Sequence, residues 1–306
     1  GPYRDALGKP LVAPMHDPTI LIDDDEQKTP YLVYGDKHGG GFHIAQLNED
    51  MISLAEQPKP IIIHGEAWEK APDWMDKNYI FKHKDTYYLS WGQDYAISKN
   101  IYGPYMGAGV VGEGHHLSEY AHGSFFNWKG QFYHIWCYYI RPGYRYRESI
   151  ITYCHMDDDG KIVTDTRFLD EHFSYGVGRY NASWDRIEAE WYYEISKNIQ
   201  KKGDKEDGFK LSNIRNEGWI RFANVNFEAA PSYLRCLYRL EGQNGTLEIR
   251  SENVNGELLG TLTLSSSADW KEESAILSNI EGQKDIYLVF KGKEGSQLAL
   301  DWIKFE

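Results

Sequence analysis

The sequence is poor in three features that define whole classes of protein: cysteine, positive charge and long apolar runs. Its three cysteines, Cys137, Cys154 and Cys236, fit neither a zinc-ligand spacing nor a dense disulfide framework. Lys and Arg number 33 against 46 Asp and Glu, so the net charge of -13 argues against nucleic acid or an anionic membrane surface as a partner. No apolar run reaches the roughly 20 residues that a membrane helix needs. The negative charge does not argue against a neutral ligand.

Aromatic residues are abundant and make up 15% of the 306 residues. Tyr and Trp, at 23 and 10, outnumber the 12 Phe, so most of these rings combine an apolar face with a polar group. Such rings suit sugar binding, and they are equally typical of the core of a β-rich protein. Composition alone therefore favours a β protein and leaves a sugar ligand as one interpretation.

Short alternating or aromatic runs predict an all-β fold, because no long stretch keeps an apolar period of 3.6 residues. In the first part of the chain, strands are predicted at residues 31–34, 42–47, 87–91, 95–98, 123–128, 132–136 and 150–154. A unit of strand, turn and aromatic strand repeats around Asp25, Lys84 and Gly130, at intervals of about 45 to 60 residues, as in four-stranded propeller blades. Three copies are too few for a closed ring.

The pattern changes near residue 184. Six further strands are predicted at residues 219–222, 233–238, 246–250, 260–264, 285–290 and 298–305, and their regular spacing is typical of a β-sandwich. The lysine-rich segment 198–207 is predicted to be a solvated loop. We therefore predict two domains, residues 1–184 and 185–306.

Four passages of the first domain resemble glycoside hydrolase family 43. They are GPYRDALGKPL, the His16-Asp17-Pro18 motif followed by a DDD turn and YLVYG, FHIAQLNEDMISL, and the late block HGSFFNWKGQFYHIWCYY with RESIITYCHMDDDGKI. The resemblance implies part of a five-bladed β-propeller and hydrolysis that inverts the anomeric configuration of the released sugar. The matched residues correspond to the later blades.

Residues 186–306 resemble carbohydrate-binding module family 6 through RIEAEWYY, EGWIRFANVNF, GELLGTLTL, IYLVF and ALDWIKF. The resemblance implies a jelly-roll sandwich with a structural calcium ion. On this match Glu188, Glu190 and Asp301 are the calcium ligands, and such hard oxygen ligands would join the two ends of the domain. Solvated acids at a strand edge are the alternative.

An inverting glycosidase needs a carboxylic acid that protonates the leaving oxygen and a carboxylate that activates water. The resemblance places Asp17 on a third acid, whose negative charge keeps the general acid protonated. The general acid itself matches Asp76 when counted from the Tyr87-Tyr88-Leu89 strand, and Glu69 when counted from Ala71-Pro72. No residue of the chain matches the water-activating base, which the family carries in its first blade.

Three further acids follow Asp17 and resemble acids that the family places in a turn. Asp23, Asp24 and Asp25 are predicted to form a solvated hairpin turn without a role in chemistry.

Five side chains are candidates for substrate binding. His122 matches a histidine on the propeller axis that holds an ion or a water molecule, and Arg147 matches an arginine that reaches the substrate. Trp74 and Trp91 could stack on sugars or belong to the core. In the sandwich, Trp270 stands in a loop where the module keeps a stacking tryptophan, whereas the partner aromatic and the cleft asparagine are replaced by Asn213 and Ala299.

The sequence therefore predicts a glycoside hydrolase of arabinofuranosidase, xylosidase or galactosidase type that acts on plant or algal polysaccharide. The alternative is a non-catalytic carbohydrate-binding protein or an inactive, truncated fragment of such an enzyme. A polysaccharide or oligosaccharide is the expected partner, and calcium the expected cofactor. The chain opens on Gly1-Pro2-Tyr3-Arg4 without a signal-peptide pattern, so the extracellular or periplasmic location is inferred from the substrate alone.

Overall fold

The computed structural model of the chain describes residues 2–36, 40–65, 77–112, 121–139 and 146–306. Strands are the main secondary structure of these residues. They include a single α-helix, α1 (Thr166–His172), and a short 3-10 helix at Ala189–Trp191. The prediction of an all-β fold is thereby confirmed. The described part of the chain holds no helix with the length and apolarity needed to cross a bilayer.

The chain forms two compact units. The first contains Gly1–Phe125 and His134–Ile150, and the second contains Phe126–Tyr133 and Ile151–Glu306. The second unit thus includes a hairpin turn and helix α1 in addition to the sandwich. The boundary at residue 184 stays a prediction.

Three sheets, antiparallel except at one edge of the second, correspond to the three predicted repeats. The first has the order β1-β2-β3-β4 and is built from His16–Ile22, Pro30–Gly35, Phe42–Gln46 and Lys59–Pro60. The second has the order β5-β9-β8-β7-β6, where β5 to β9 are Ile63–His64, Asn78–His83, Thr86–Trp91, Asp94–Ser98 and Tyr105–Val110. The third has the order β10-β11-β12-β13 and is built from Ala121–Trp128, Gln131–Tyr139, Arg147–Met156 and Ile162–Thr164.

Tight turns fix the register of these blade-like sheets. Lys84 joins β6 to β7 with a φ of 54°, and Lys129 and Gly130 join β10 to β11 with φ values of 52° and 81°. Residues with a left-handed backbone conformation in a two-residue turn match the twist of the flanking strands.

In the first unit, one buried core includes Val33, Phe42, Ile80, Leu89 and Tyr105. The propeller-type fold predicted for this part is confirmed.

The second unit contains a sandwich of two sheets. One has the order β14-β19-β24-β21-β22 with β16 beside β19, and the other has the order β17-β18-β25-β20-β23 with β15 beside β25. Strands β14 to β19 are Tyr180–Asn181, Ile187–Glu188, Glu194–Ile195, Gln200–Asp204, Gly208–Ile214 and Trp219–Phe227. Strands β20 to β25 are Tyr233–Glu241, Gly245–Ser251, Leu258–Leu264, Ser267–Ile276, Gly282–Lys291 and Gln297–Phe305.

Alternation of buried and exposed residues explains why these strands form two packed sheets. On β20, for example, Leu234, Cys236, Tyr238 and Leu240 are buried, while the residues between them are more exposed. Each fully buried aliphatic side chain contributes about 1.5–3 kcal/mol through loss of contact with water. The predicted sandwich is confirmed.

Most residues of the lysine-rich segment 198–207 are exposed, as predicted, but the prediction that the segment is a loop was wrong. Residues Gln200–Asp204 form β17, which pairs with β18 along its whole length. Lys201 Nζ donates to the side-chain oxygen of Gln131 at 2.6 Å and to the carbonyl of Cys154 at 3.3 Å. Burial lowers the pKa of Lys201 to about 8. Its partners lie 70 and 47 residues away in sequence, so local composition gave no sign of them.

The prediction for the DDD turn was wrong at its first residue. Asp23 is buried, at 6% exposed, and accepts from Lys82 Nζ at 2.7 Å and from the Tyr87 hydroxyl at 2.6 Å. Burial alone would raise the pKa of Asp23, but the bonds from Lys82 and Tyr87 outweigh it and hold the pKa below its usual range. Asp25 does serve the turn, because its carboxylate accepts from Thr29.

We expect Asp23→Ala to lower the free energy of unfolding by about 2–3 kcal/mol, because Lys82 and Tyr87 lose a buried acceptor. Asp24→Ala is the matched control. Asp24 also contacts Lys82, but its side chain is 67% exposed, so the loss should stay below about 1 kcal/mol. Urea unfolding of both variants measures the difference. Equal losses would show that Asp23 is only a turn residue.

Candidate active site

Asp17 lies in an irregular stretch of β1. The pairing of β1 with β2 shifts register between His16 and Thr19, which displaces Asp17 and Pro18 from the regular ladder. Such bulges redirect side chains and are frequent beside functional sites. The Asp17 carboxylate Oδ2 accepts a hydrogen bond of 2.6 Å from the backbone N–H of Lys77. This hydrogen bond joins residues that are 60 positions apart in the sequence. It places the Asp17 side chain beside Lys77, the residue before β6.

His122 on β10 lies beside the same carboxylate. Its Nδ1 is 4.0 Å from Asp17 Oδ2, and the two side chains are 44% and 36% exposed. The structure therefore brings together two of the residues that the sequence assigned to the site, and both are open to a ligand.

The backbone is strained at three positions that meet here. Asp17, Lys77 and His122 have φ values of 43°, 63° and 51°, in the left-handed region that residues other than glycine rarely adopt. Each such residue costs about 1–3 kcal/mol and persists only where surrounding structure holds it, which is common at active sites. The convergence of three strained residues on one carboxylate marks this place as the candidate site.

Three predicted site residues lie outside the described residues: Asp76, Glu69 and Trp74. The choice of Asp76 or Glu69 as general acid therefore stays open. Lys77, whose N–H binds Asp17, directly follows Asp76 in the sequence.

Arg147 begins β12 and contacts the strand before it. Its Nη2 donates to the Tyr139 hydroxyl at 2.7 Å, and its guanidinium carbon lies 4.9 Å from the centre of the Tyr139 ring. On the same pair of strands, the Tyr138 hydroxyl donates to Glu148 at 2.8 Å. Burial and Glu148 raise the pKa of Tyr138 to about 12. Arg147 itself is exposed and is held in a fixed direction by Tyr139.

Trp91 is a core residue in this structure. It is 9% exposed and packs on Phe42 with ring centres 5.8 Å apart. Of the two interpretations that the sequence left open for Trp91, the structure supports packing in the core.

The predicted calcium ligands have different surroundings. Glu188 accepts from Arg186 Nε at 2.6 Å and also pairs with Arg167. Glu190 is buried, and its Oε2 lacks a hydrogen-bond partner among the described residues. Burial, Asp165 and Asp301 raise the pKa of Glu190 well above its usual value, and burial also raises the pKa of Asp301.

These surroundings suit a hard cation at Glu190. A buried carboxylate oxygen without a partner is costly, and a cation bound to oxygen ligands would satisfy it. Glu188 already has two arginine partners and needs no cation. Within the described ranges, no group of three or more His, Cys, Asp or Glu residues is close enough to hold a metal ion as it stands.

Trp270 lies on β23 and not in a loop, so this detail of the prediction was wrong. Its ring is half-exposed on the outer face of its sheet. Lys210 on β18 and Arg239 on β20 lie 5.8 Å and 5.7 Å from the ring centre.

Sequence patterns did not predict one buried network, which centres on Asp165. Asp165 caps helix α1 by accepting from Phe168 N at 2.8 Å, and it also binds His155 Nε2 at 3.0 Å and the indole N–H of Trp191. Burial alone would raise the pKa of Asp165, but the bonds from His155 and the other donors hold it below its usual range. An aspartate at the start of a helix is a recognisable capping signal. The partners at 155 and 191 had no such signal.

Comparison with known proteins gives two family matches. Residues 1–162 match the model of glycosyl hydrolases family 43, and residues 188–306 match that of carbohydrate binding module family 6. Two curated relatives align with 100% of the chain, and both are named arabinoxylan arabinofuranohydrolase. The protein of Paenibacillus polymyxa is 25% identical and that of Bacillus subtilis (strain 168) is 23% identical.

The chain spans 54% of the first relative and 68% of the second. A crystal structure of a family 43 arabinoxylan arabinofuranohydrolase from Bacillus subtilis in complex with cellotetraose is also similar, at 22% identity and a TM-score of 0.45. That match covers 100% of this chain and 72% of the other. Since the family 43 match alone covers more than half of its residues, the chain belongs to glycosyl hydrolase family 43, and a family 6 carbohydrate binding module follows in the same polypeptide.

Proposed function

We propose that the protein hydrolyses glycosidic bonds in plant polysaccharide by an inverting mechanism, and that arabinofuranosyl side chains of arabinoxylan are its substrate. The names of two relatives that align with the whole chain support this choice over xylosidase or galactosidase activity. The observation that carries the proposal is the position of Asp17, held by the Lys77 N–H beside His122 in a strained, accessible site.

In the proposed mechanism Asp17 does not react with the sugar. Its negative charge raises the pKa of the general acid and keeps it protonated near neutral pH. The hydrogen bond from the Lys77 N–H fixes the direction of the Asp17 carboxylate, and Lys77 directly follows Asp76 in the sequence. This favours Asp76 over Glu69 as the general acid. The proposal assigns no residue of this chain to the water-activating carboxylate.

His122 and Arg147 are proposed to contact the substrate. The exposed imidazole beside Asp17 can bind a sugar hydroxyl or a water molecule, and the arginine fork can donate two hydrogen bonds to hydroxyl oxygens. Because the Tyr139 hydroxyl already holds one arm of the Arg147 guanidinium, less freedom is lost when the other arm binds.

The experiment uses the protein expressed from its natural reading frame. It is incubated with arabinoxylan and with aryl arabinofuranoside, xyloside and galactoside, and released sugar is measured. We expect release from arabinoxylan and from the arabinofuranoside. Release from the xyloside or galactoside alone would overturn the choice of substrate, and no release from any of them would overturn hydrolysis.

One observation favours the second candidate function, carbohydrate binding without turnover: residues 188–306 match a carbohydrate binding module. On this alternative the protein migrates more slowly in a gel that contains arabinoxylan than in a gel without it, and it releases no sugar from the same polymer. Binding together with release would exclude it.

We also propose that Glu190, with Asp301, holds a structural calcium ion in the sandwich, whereas Glu188, which is paired with Arg186 and Arg167, does not bind it. The unpartnered buried oxygen of Glu190 supports this proposal. When bound, calcium would supply positive charge to the buried Glu190 carboxylate. The protein, a degrader of extracellular polysaccharide on this account, would work outside the cytoplasm, where calcium is available.

Removal of calcium tests this site. We expect EDTA to lower the melting temperature by about 5–10 °C and added Ca²⁺ to restore it, because an ion that binds the folded state alone stabilises it by mass action. Glu190→Gln should lose this response. Glu281→Gln, which changes an exposed acid on a loop, should keep it. An EDTA effect that persists in Glu190→Gln would place the ion elsewhere.

A further inference from the structure

Asn78 is the first residue of β6 and directly follows Lys77, whose N–H binds Asp17. Its side chain is buried, at 7% exposed, and its Nδ2 donates to the backbone carbonyl of Val33 on β2 at 3.3 Å. We propose that Asn78 is a positioning residue of the candidate site, which holds the Lys77 peptide so that its N–H stays on the Asp17 carboxylate. The inference rests on the proposed function in taking Asp17 as the acid that tunes the general acid.

Packing does not explain an asparagine at this position. Asn78 and Ile80 are both buried and lie on the same face of β6. Ile80 belongs, with Val33 and Trp91, to the core of the first unit, and Trp91 on β7 is the register partner of Asn78. The Asn78 Oδ1 is buried and lacks a hydrogen-bond partner among the described residues, which is unfavourable. A leucine has nearly the same shape and avoids this cost, so the hydrogen bond that Nδ2 donates is what the amide adds.

Two consecutive residues of the second sheet thus bind two neighbouring strands of the first sheet. Lys77 binds Asp17 on β1, and Asn78 binds Val33 on β2. Val33 pairs with Thr19, the residue at which the register shift of β1 ends. Both hydrogen bonds therefore end beside the bulge that displaces Asp17 from the regular ladder. A single hydrogen bond would let the segment turn about it, whereas two fix both its position and its direction.

The backbone of Lys77 needs support on both sides. Its φ of 63° lies in the left-handed region, which is unfavourable for residues other than glycine and persists only where the surroundings hold it. The hydrogen bond to Asp17 holds the peptide that precedes this residue, and the side-chain bond of Asn78 holds the residue that follows it. Without the second bond Lys77 can return to an ordinary conformation, which turns its N–H away from Asp17. The carboxylate then loses its fixed direction beside His122, whose Nδ1 lies 4.0 Å from Asp17 Oδ2.

The first test does not depend on hydrolysis. The amide proton of Lys77 is observed by NMR in the full chain labelled with nitrogen-15 lysine, and its signal is assigned by its loss in Lys77→Arg. Because this N–H donates to a carboxylate, Asp17→Asn should move the signal. We expect the same substitution to move it at most about half as far in protein that also carries Asn78→Leu. Asn78→Ala, which adds no bulk, gives the same comparison if the leucine variant does not fold. An equal movement with and without Asn78 would overturn the inference.

The second test asks whether Asn78 acts through Asp17. We expect Asn78→Leu to lower kcat for arabinoxylan about tenfold with KM nearly unchanged, and to move the basic limb of the kcat profile in the same direction as Asp17→Asn. The double variant should be no slower than Asp17→Asn alone, because Asn78 then has no charge left to position.

Ser90→Ala is the matched control for a purely structural effect. Ser90 on β7 is buried and donates to the carbonyl of Tyr79 at 3.4 Å. The pair lies one register position from Asn78 and Trp91, so these side chains are on the other face of the same sheet. This variant also loses a buried side-chain bond to a backbone carbonyl, but it should keep kcat and the pH profile.

A loss of kcat that adds to that of Asp17→Asn, or an unshifted profile in Asn78→Leu, would also overturn the inference, since either result means that Asn78 only supports the fold. If the protein releases no sugar from any substrate, the proposed hydrolysis fails, and the NMR comparison still decides whether Asn78 holds the Lys77 N–H on Asp17. If sugar is released but the amide signal responds to Asp17→Asn equally with and without Asn78, only this inference fails.

Discussion

Asp17→Asn is expected to lower kcat for arabinoxylan about a hundredfold while the protein stays folded. The amide keeps the shape of the side chain and can still accept the hydrogen bond from Lys77 N, but it loses the negative charge. Without that charge the pKa of the general acid falls, and less of the acid is protonated near neutral pH. Initial rates of arabinose release, with the melting temperature as a check of folding, measure this effect.

The pH dependence separates a role in proton transfer from a structural one. If Asp17 tunes the general acid, the basic limb of the kcat profile moves to lower pH by about one unit in Asp17→Asn. Asp158→Asn, in the exposed turn between β12 and β13, removes the same charge from the second unit and should leave rate and profile unchanged. A lower rate with an unshifted profile would mean that Asp17 only supports the backbone.

Asp165→Ala is expected to destabilise the second unit by about 4 kcal/mol. Three buried donors lose their acceptor together: His155 Nε2, the indole N–H of Trp191 and the backbone N–H of Phe168 at the start of α1. Asp165→Asn keeps an oxygen that can cap the helix, so its loss should be about half as large. Urea unfolding measures both variants. A loss below about 1 kcal/mol for Asp165→Ala would contradict the account of this network.

The same network predicts that acid destabilises the protein. Burial and the charge of Lys201 lower the pKa of His155 to about 4. Between about pH 6.5 and pH 4 the unfolded chain binds a proton at this residue that the folded chain does not bind. Stability therefore falls as the pH falls through this range, by about 3 kcal/mol for His155 alone. His155→Gln should show a shallower loss between pH 7 and pH 4.5, and an unchanged slope would contradict this assignment.

Local patterns were enough to predict most strands and turns. The turns at Lys84 and at Lys129-Gly130 follow from neighbouring residues, and so does the alternation on β20. Lys201 and Asp23 could not be predicted in this way. Both are charged residues in polar segments, which indicates exposure. Partners far along the chain leave Lys201 half-buried and Asp23 buried.

For the candidate site, the sequence indicated residue types more reliably than their surroundings. The resemblance singled out Asp17 and His122, and the structure places them 4.0 Å apart. The contact with Lys77 N was not predictable, because it depends on a register shift in β1 and on a strained backbone at three positions. The role of Trp91 could not be predicted from the sequence, because an aromatic residue at a strand end has the same pattern whether it packs in the core or faces a ligand.

The configuration of the first released sugar tests the central claim most directly. Arabinoxylan or an aryl arabinofuranoside is hydrolysed in an NMR tube, and the anomeric protons are followed before mutarotation equilibrates them. Inverting hydrolysis predicts that the first sugar to appear has the anomeric configuration opposite to that of the substrate. A first product with the configuration of the substrate would contradict the account.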